Sequence, residues 1–494
     1  MSLSTIIWLA SGIVLSLITF LALNRSQKDV VLRRLGLGGR NVSRPSTPSL
    51  EKQPVSSKPL ASSSSDLFST VPPSQRGQLK IMVEKMPPAQ RKAMGNLAFN
   101  TSTFMNSLLG FEEDYRKADD SKYCYSGFSV REIKALGDFP DYATISEVPL
   151  PKPYLEFDIN KAKPRPYRPF RWAYHQTMSL TKLETDWWLE LESTYKARIA
   201  QRKELYAKHG SAVLQSLPGS ELACKELMEM AIQFLCARYP QYFVLSADKS
   251  RLENKILGTV SVFKEKHPFL ILLENVPEDF GMVLRDPESG YYVFRAGLIC
   301  SALGWNVGSK IGLKLHEIHT PIPDYKEKMQ FSMDRYFSKM PANKPIQRGS
   351  WGLEVDQPLY MPPGDPHASY RDFQDKTLTR DRIHLRVDWQ TLRRLPLSGA
   401  VVFNFKALFT PIEEFRDEPY VPSLILKVLK EGKENLMKYK NTWHTEHIVI
   451  PTLEEFAKEQ IEKGMIEKDW EPKTLDDSPW FPGWQEKWHR QQGY

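Results

Sequence analysis

The stretch WNVGSKIGLKLHEIHTPIP, residues 305–323, predicts a short helix in the middle of a series of predicted strands. Ser309 is its predicted cap and Pro321 its stop, because proline cannot continue a helix. β-rich runs separated by turn residues lie on both sides: 255–263, 267–275, 281–285 and 291–302 before it, and the segment around Trp351, 383–389 and 398–410 after it. Strands, a helix and strands again predict an α+β fold with an antiparallel sheet flanked by helices.

Two local features refine this prediction. Residues 282–285 and 291–300 predict a hairpin, since the turn residues DPESG separate them. Residues 391–395 predict a short turn between two strands.

His319 is the side chain of chemical interest in the predicted helix. Leu315 and His319 are four residues apart and share a helix face, so the imidazole is expected to point with the apolar stripe. A neutral imidazole nitrogen suits iron, which makes His319 a candidate iron ligand. The alternative is a core histidine that is hydrogen-bonded to the backbone.

Composition narrows the classes of function. A chain of 494 residues with 41% hydrophobic and 11% aromatic residues is long enough to bury a large core. Its net charge of +8 is modest, and much of it lies near the N-terminus, which favours membrane topology over nucleic-acid binding. No Walker loop, GxGxxG or CxxCH occurs, so nucleotide binding and covalently attached haem have no local support.

The N-terminal region predicts a membrane anchor followed by a tether. Residues 6–23 are uncharged, apolar and long enough to span a bilayer, and basic residues follow at once, which places the body on the cytoplasmic side of an organelle membrane such as the endoplasmic reticulum. A cleaved signal peptide would need a basic region before this run. We predict five segments: an anchor at 1–24, a disordered Ser/Pro-rich linker at 25–78, an extension packing on the core at 79–163, the main domain at 164–415 and a C-terminal helical arm at 416–494.

An arginine-aromatic strip, RPYRPFRWAYHQTM, occupies residues 165–178. It fits a nucleic-acid strip, a clamp for the propionates of a tetrapyrrole, or an ordinary covering segment. The modest global charge counts against the first alternative.

Charged residues also mark a predicted strand end, RVDWQTLRRLP, at 386–396. Either this is a solvated turn, or Arg393 or Arg394 pairs with an anionic group while Asp388 faces a cation. His444 and His447 lie three residues apart without a third ligand nearby, and we interpret them as structural.

Five stretches together resemble the haem-dependent oxidative N-demethylase family, also known as a domain of unknown function shared by bacteria and fungi. The resemblance runs from about Pro164 to Pro411. The stretches are RPFRWAYHQTMSL (168–180), LPGSELACKELMEM (217–230), LRDPESG (284–290), KIGLKLHEIHTPIP (310–323) and LRVDWQTLRRLPLSGAVVFNF (385–405).

The resemblance implies that residues 164–415 form a PAS-like domain that binds haem b. The implied reaction is the oxidative demethylation of a small amine such as dimethylamine, with O2 and with electrons from NADPH through a separate flavin or iron–sulfur protein. His319 becomes the candidate proximal ligand and His175 the runner-up.

The resemblance also implies roles for charged side chains. Arg168, Arg171 and Arg393 become candidates for anionic groups of the cofactor, the first two for its propionates. Asp388, beside Arg386, becomes the candidate that binds the cationic amine. At Asp388-Trp389 the sequence departs from the family pattern, which usually has Glu-Arg.

Three hypotheses for the function follow. The first is a membrane-anchored haem-dependent demethylase. The second is a haem or ligand sensor without catalytic activity on a PAS-like scaffold, since a fold does not determine a function. The third is a membrane-anchored glycosyltransferase, which shares the layout of anchor, Ser/Pro-rich stem and globular body.

Overall fold

A seven-stranded antiparallel sheet forms the centre of the part of the chain that this computed structural model describes, residues 108–175 and 177–493. The strand order is β1-β8-β9-β10-β6-β7-β2, and a separate three-stranded sheet has the order β3-β4-β5. The strands are β1 Thr181–Lys182, β2 Leu214–Ser216, β3 Phe243–Leu245, β4 Arg251–Asn254, β5 Thr259–Val262, β6 Asp279–Arg285, β7 Tyr292–Leu298, β8 Ile346–Val355, β9 Ile383–Arg394 and β10 Val401–Pro411.

Helices cover both faces of the large sheet. They are α1 Val130–Leu136, α2 Tyr142–Ser146, α3 Tyr195–His209, α4 Glu221–Arg238, α5 Pro268–Asn275, α6 Val307–Lys310, α7 Leu315–Ile318, α8 Gln330–Lys339, α9 Val421–Glu431, α10 Glu434–Lys440, α11 Trp443–Glu462 and α12 Trp484–Gln492. The predicted α+β class with a large antiparallel sheet and the hairpin of β6 with β7 are therefore confirmed. The PAS-like form of the fold stays a prediction.

Side-chain alternation along β9 separates two environments. Leu385, Val387 and Trp389 join the larger core cluster, together with side chains of α3 and α4. Arg386 and Asp388 point to the opposite face, as the two-residue period of a strand requires. That second face, covered by the segment from α6 to α8, carries the smaller apolar cluster and a cavity.

Three predicted elements were wrong. Residues 267–275 contain the helix α5, because Pro268 stands in its first turn and His267 accepts a hydrogen bond from the Phe269 amide as its cap. Residues 391–395 are not a turn: β9 continues to Arg394, and Thr391 pairs with Asn404 across the β9–β10 hairpin. The predicted single helix at 305–323 is also two one-turn helices, α6 and α7.

A buried carboxylate caps the turn of the β9–β10 hairpin. Glu226 on α4 accepts hydrogen bonds from the Leu397 amide at 2.6 Å and from the amide and hydroxyl of Ser398 at 2.9 and 2.6 Å. We expect Glu226→Gln to lower the free energy of unfolding by about 1–3 kcal/mol, because one of its two acceptor atoms becomes a donor facing N–H groups. Urea denaturation measures this.

The matched control is Glu274→Gln on α5, whose carboxylate pairs with Lys266 at the surface at 2.7 Å. Its effect should stay within about 0.5 kcal/mol. Equal losses in the two variants would contradict the capping role of Glu226.

The C-terminal segment is part of the core. Side chains of α9 and α11 belong to the larger cluster, and Phe481 and Trp488 are 1% and 6% exposed. Trp488 donates its indole N–H to the Lys163 carbonyl at 2.8 Å. Residues 416–493, predicted as a C-terminal helical arm, are helical in large part and pack on the residues that precede them.

The predicted anchor, the linker and residues 79–107 of the extension lie outside the described residues. The rest of the extension packs on the core, with Phe139, Tyr142 and Phe157 buried. Within 108–175 and 177–493, no helix combines the length and apolar composition that crossing a bilayer requires.

Candidate active site

A cavity of about 600 Å³ lies between the second face of the large sheet and the segment from α6 to α8. This volume is in the range of sites for small molecules and cofactors. β8 contributes Arg348 to its wall, and β9 contributes Arg386 and Asp388. Its apolar wall comes from Val283, Phe294, Ile299, Leu315, Ile318, Met329, Met333, Phe337, Leu392, Phe403 and Phe405.

Backbone pairing with β7 holds the short helix α7 at the cavity. Gly312 has φ +82°, and this glycine separates α6 from α7. Its amide donates to the Phe294 carbonyl at 2.8 Å, and the Phe294 amide donates to the Leu313 carbonyl at 2.9 Å. Asn306, not Ser309, is the cap of α6, while Ser309 is its partner in a capping box. His319, the C-cap that follows α7, lines the cavity.

The protonation of His319 follows from its contacts. Its Nδ1 lies 2.6 Å from the Leu315 carbonyl oxygen, which can only accept, so Nδ1 carries the proton. Burial lowers the pKa of His319 to about 4, and the imidazole is therefore neutral at pH 7. Its ring stacks on Tyr325 with centroids 5.0 Å apart.

These contacts leave Nε2 of His319 with its lone pair and without a hydrogen bond to any residue in the described ranges. Histidine ligands of metals typically donate the other ring N–H to a backbone carbonyl, which orients the ring. His319 is thus prepared as a ligand. Spacing along the chain does not reveal the contacts of the second ring nitrogen, so the sequence alone left the choice between a ligand and a core histidine open.

Two arginines line the cavity without a counterion in the part of the chain that the structure describes. Arg171 comes from the arginine-aromatic strip and Arg348 from β8. The Nε atom of Arg348 is buried without a hydrogen-bond partner, and burial lowers the pKa of this guanidinium. An unpaired guanidinium in an apolar wall is costly, so the pair is suited to a ligand with carboxylates.

Arg386 and Asp388 form a pair on the cavity face of β9. Arg386 donates to Oδ1 of Asp388 from Nε at 3.0 Å and from a terminal nitrogen at 2.8 Å. Its remaining donors bind the carbonyls of Ser301, Pro358 and Leu359. Arg386 is therefore a positioning residue, while Oδ2 of Asp388 accepts no hydrogen bond from a described residue.

Lys440, at the end of α10, brings a further cation to this wall. Its Nζ donates to the hydroxyl of Ser350 at 3.0 Å and to the Trp351 carbonyl at 2.7 Å. Burial lowers the pKa of Lys440 to about 8. Ser350 pairs directly with Asp388 in the β8–β9 register, so the ammonium and the carboxylate are neighbours across one strand pair.

Two predicted site residues lie away from the cavity. Arg168 is buried against Glu418, with its Nε 2.7 Å from one carboxylate oxygen and a terminal nitrogen 2.6 Å from the other. Arg393 follows Trp389 by four residues on β9, so its side chain lies on the same face as Trp389, opposite the cavity. Its guanidinium carbon is 4.1 Å from the centre of the Trp188 ring. Neither of these two predicted cofactor-binding arginines lines the cavity.

The runner-up ligand, His175, does line the cavity, but its side chain is exposed and its Nδ1 bonds to the Ala173 carbonyl at 2.9 Å. His444 and His447 bond through one ring nitrogen each to the carbonyls of Asn441 and Asp375, as the structural interpretation predicts. In the described ranges no group of three potential ligands gathers as a conventional metal cluster does.

Sequence reasoning missed Arg348, Lys440 and Asp279 in the cavity wall. The sequence contains a weak indication that Arg348 lies on the cavity face. Gln347 and Trp351 are at positions of β8 that are buried on the opposite face, which leaves Arg348 on the cavity face. Lys440 had no such indication, because the sequence does not distinguish it from Lys438 two positions earlier.

An α+β protein with one prepared imidazole, unpaired arginines and apolar walls around one cavity has the donor set of a site for a metal-containing cofactor that bears carboxylates. A family model described as haem-dependent oxidative N-demethylase, alpha subunit-like, matches residues 179–450, more than half of the chain. The chain belongs to this family. The family is named for its dependence on haem, and Nε2 of His319, the unpaired Arg171 and Arg348 and the apolar wall fit that group.

Proposed function

We propose that this chain is a haem-dependent oxidoreductase that oxidatively demethylates a small N-methylated amine. The observation that carries the proposal is His319, whose Nδ1–H is committed to the Leu315 carbonyl and whose Nε2 is free at the cavity. In this proposal His319 holds the iron of haem b, and Arg171 and Arg348 pair with its propionates. Haem, when bound, supplies the oxygen-activating chemistry.

The protein's own groups bind and orient the amine. An amine of this kind is cationic at neutral pH, and Oδ2 of Asp388 is an available carboxylate oxygen in the cavity. Arg386 orients Asp388 through Oδ1. The phenylalanines of the wall, among them Phe403 and Phe405, exclude water, which strengthens the contact between the two charges.

The net reaction consumes one O2, two electrons and two protons per methyl group. R–NH2⁺–CH3 + O2 + 2e⁻ + 2H⁺ gives R–NH3⁺ + HCHO + H2O, so one oxygen atom enters formaldehyde and the other enters water. We propose that NADPH supplies the electrons through a separate flavin or iron–sulfur protein. We also retain the proposal that residues 6–23 anchor the chain in an organelle membrane with its body on the cytoplasmic side.

Formaldehyde release tests the function. Haem-loaded full-length protein receives O2, a chemical or flavoprotein reductant and a panel of secondary N-methylamines that includes dimethylamine. Formaldehyde formed in proportion to amine consumed supports the demethylase. Haem binding without formaldehyde for any amine would instead favour the sensor, and an absence of haem binding would overturn both.

Arg348 provides a second test that needs no turnover. We expect Arg348→Gln to raise the dissociation constant of haem about tenfold to a hundredfold, because a charge-assisted hydrogen bond to a propionate is worth about 1.5–3 kcal/mol. Haem transfer to an apo-globin acceptor measures this. The control Arg382→Gln removes an arginine that pairs with Asp356 and does not line the cavity. Equal haem retention in the two variants would remove Arg348 from this role.

A further inference from the structure

The cavity wall carries two cations that pair neither with its carboxylates nor with the propionates of the proposed cofactor. Among the described residues two carboxylates line the cavity: Asp279 pairs with Arg202 at 2.5 Å, and Asp388 pairs with Arg386 through Oδ1 alone, which leaves Oδ2 available. Within residues 108–175 and 177–493 five cations line it, and of these Arg386 is the one paired with a cavity carboxylate. The two propionates of haem neutralise two more, Arg171 and Arg348.

The remaining two cations differ in their contacts. Lys310 donates to the Ile318 carbonyl at 3.2 Å and lies 4.8 Å from the centre of the Trp305 ring, so it joins α6 to α7. Lys440 has three N–H donors, and two of them donate hydrogen bonds to the Ser350 hydroxyl and the Trp351 carbonyl. Its Nζ also lies 5.1 Å from the Trp351 ring centre. The third donor has no acceptor in the part of the chain that the structure describes.

Lys440 and Asp388 together present opposite charges at neighbouring positions. The β8–β9 register pairs Ser350 with Asp388, and Ser350 is the residue that Lys440 holds. One wall of the cavity thus offers a carboxylate oxygen, Oδ2 of Asp388, beside a free ammonium donor. A ligand that matches both groups carries a cationic nitrogen and an anionic oxygen separated by a short linker.

We infer that the substrate is an N-methylated amino acid, whose ammonium binds Asp388 and whose carboxylate binds Lys440. This inference rests on the proposed demethylase function and names its substrate class. A simple amine such as dimethylamine binds Asp388 but leaves the third N–H of Lys440 without an acceptor, and a buried donor without an acceptor is costly.

The net reaction has the same stoichiometry as the demethylation written above. For N-methylglycine, O2, two electrons and two protons convert the substrate to glycine, formaldehyde and water. The N–CH3 carbon is oxidised, O2 is reduced, the C–N bond to that carbon breaks, and the carboxylate that Lys440 binds does not react. The electrons come from the reductant supplied in the assay.

The experiment compares N-methylglycine with dimethylamine on the haem-loaded full-length protein. We expect kcat/KM for formaldehyde release to be at least about tenfold higher for N-methylglycine. In Lys440→Met this preference should fall about tenfold to a hundredfold, mainly through KM for N-methylglycine, as expected when one charge-assisted hydrogen bond is lost. Lys440→Arg should restore part of it.

Calorimetric titration with N-methylglycine under nitrogen, without a reductant, gives a binding readout that is independent of turnover. The matched control is Lys438→Met, which removes an exposed lysine of α10 that does not line the cavity. A preference lost in Lys440→Met and kept in Lys438→Met supports the inference.

The possible failures are distinguishable. Turnover of dimethylamine without a preference for N-methylglycine would overturn the substrate assignment and leave the demethylase function in place. Formaldehyde from neither amine would overturn the proposed function. A loss of haem retention in Lys440→Met would show that Lys440 binds a propionate, and the substrate assignment would then be wrong.

Discussion

His319→Ala is expected to remove the side chain that would hold the haem iron and to reduce formaldehyde release by more than about a hundredfold. The alanine has no lone pair to replace Nε2, and the described residues offer no second imidazole with a buried, oriented ring in the cavity. Effects of this size are typical when a residue that acts on the cofactor directly is removed. Absorption spectra of the purified variant, oxidised and reduced, with the formaldehyde assay, give the measurement.

The matched control is His316→Ala. His316 lies on the same short helix, three residues earlier, but it does not line the cavity and its ring contacts Tyr291 with centroids 5.2 Å apart. We expect this variant to keep the spectrum of the parent protein. A parent-like spectrum in His319→Ala, or the same change in both variants, would contradict the assignment of the ligand.

Glu418→Ala is expected to cause the largest loss of stability of any single substitution considered. The Glu418 side chain is fully buried and accepts hydrogen bonds from two nitrogens of Arg168 and, at 3.1 Å, from Lys487. Its removal leaves two cations in the core without their shared partner, and we expect a loss of about 3–5 kcal/mol in the free energy of unfolding. Urea denaturation followed by tryptophan fluorescence measures this.

Glu459→Ala serves as the surface comparison, since Glu459 pairs with Arg416 and Lys463 where solvent reaches the charges. Its expected cost is about 0–1 kcal/mol. A loss below about 1 kcal/mol for Glu418→Ala would show that Arg168 and Lys487 find other partners, and the C-terminal segment would then be less firmly tied to the domain than its contacts indicate.

The ion pair of Arg168 with Glu418 could not be predicted from the sequence. Arg168 and Arg171 belong to the same arginine-aromatic strip and both have aromatic residues nearby in the sequence. Nevertheless, Arg171 lines the cavity, whereas Arg168 is buried against Glu418. The partner of Arg168 is 250 residues away in the chain, so no local pattern could reveal the ion pair. Arg393 lies away from the cavity for a different reason. β9 extends to Arg394, beyond its predicted end, and the position of Arg393 along this strand places its side chain on the face opposite the cavity.

Elements with a strong local signal were predictable. The β-rich runs of the β6–β7 hairpin and the turn residues DPESG between them could be recognised directly in the chain. α5 was predicted as a strand because its apolar run FLILLEN has no helical period, and the information lay instead in Pro268 and its cap. The position of His319 beside the apolar stripe was predictable, whereas its tautomer and the available N–H donor of Lys440 depend on tertiary contacts.

Titration of the purified, haem-free full-length protein with haem tests the central claim most directly. We predict saturation at one haem per chain, with a Soret band that differs from that of free haem and that His319→Ala shifts. A titration without saturation, or a saturable band that is identical in the parent protein and in His319→Ala, would contradict the claim that Nε2 of His319 holds haem iron in this cavity.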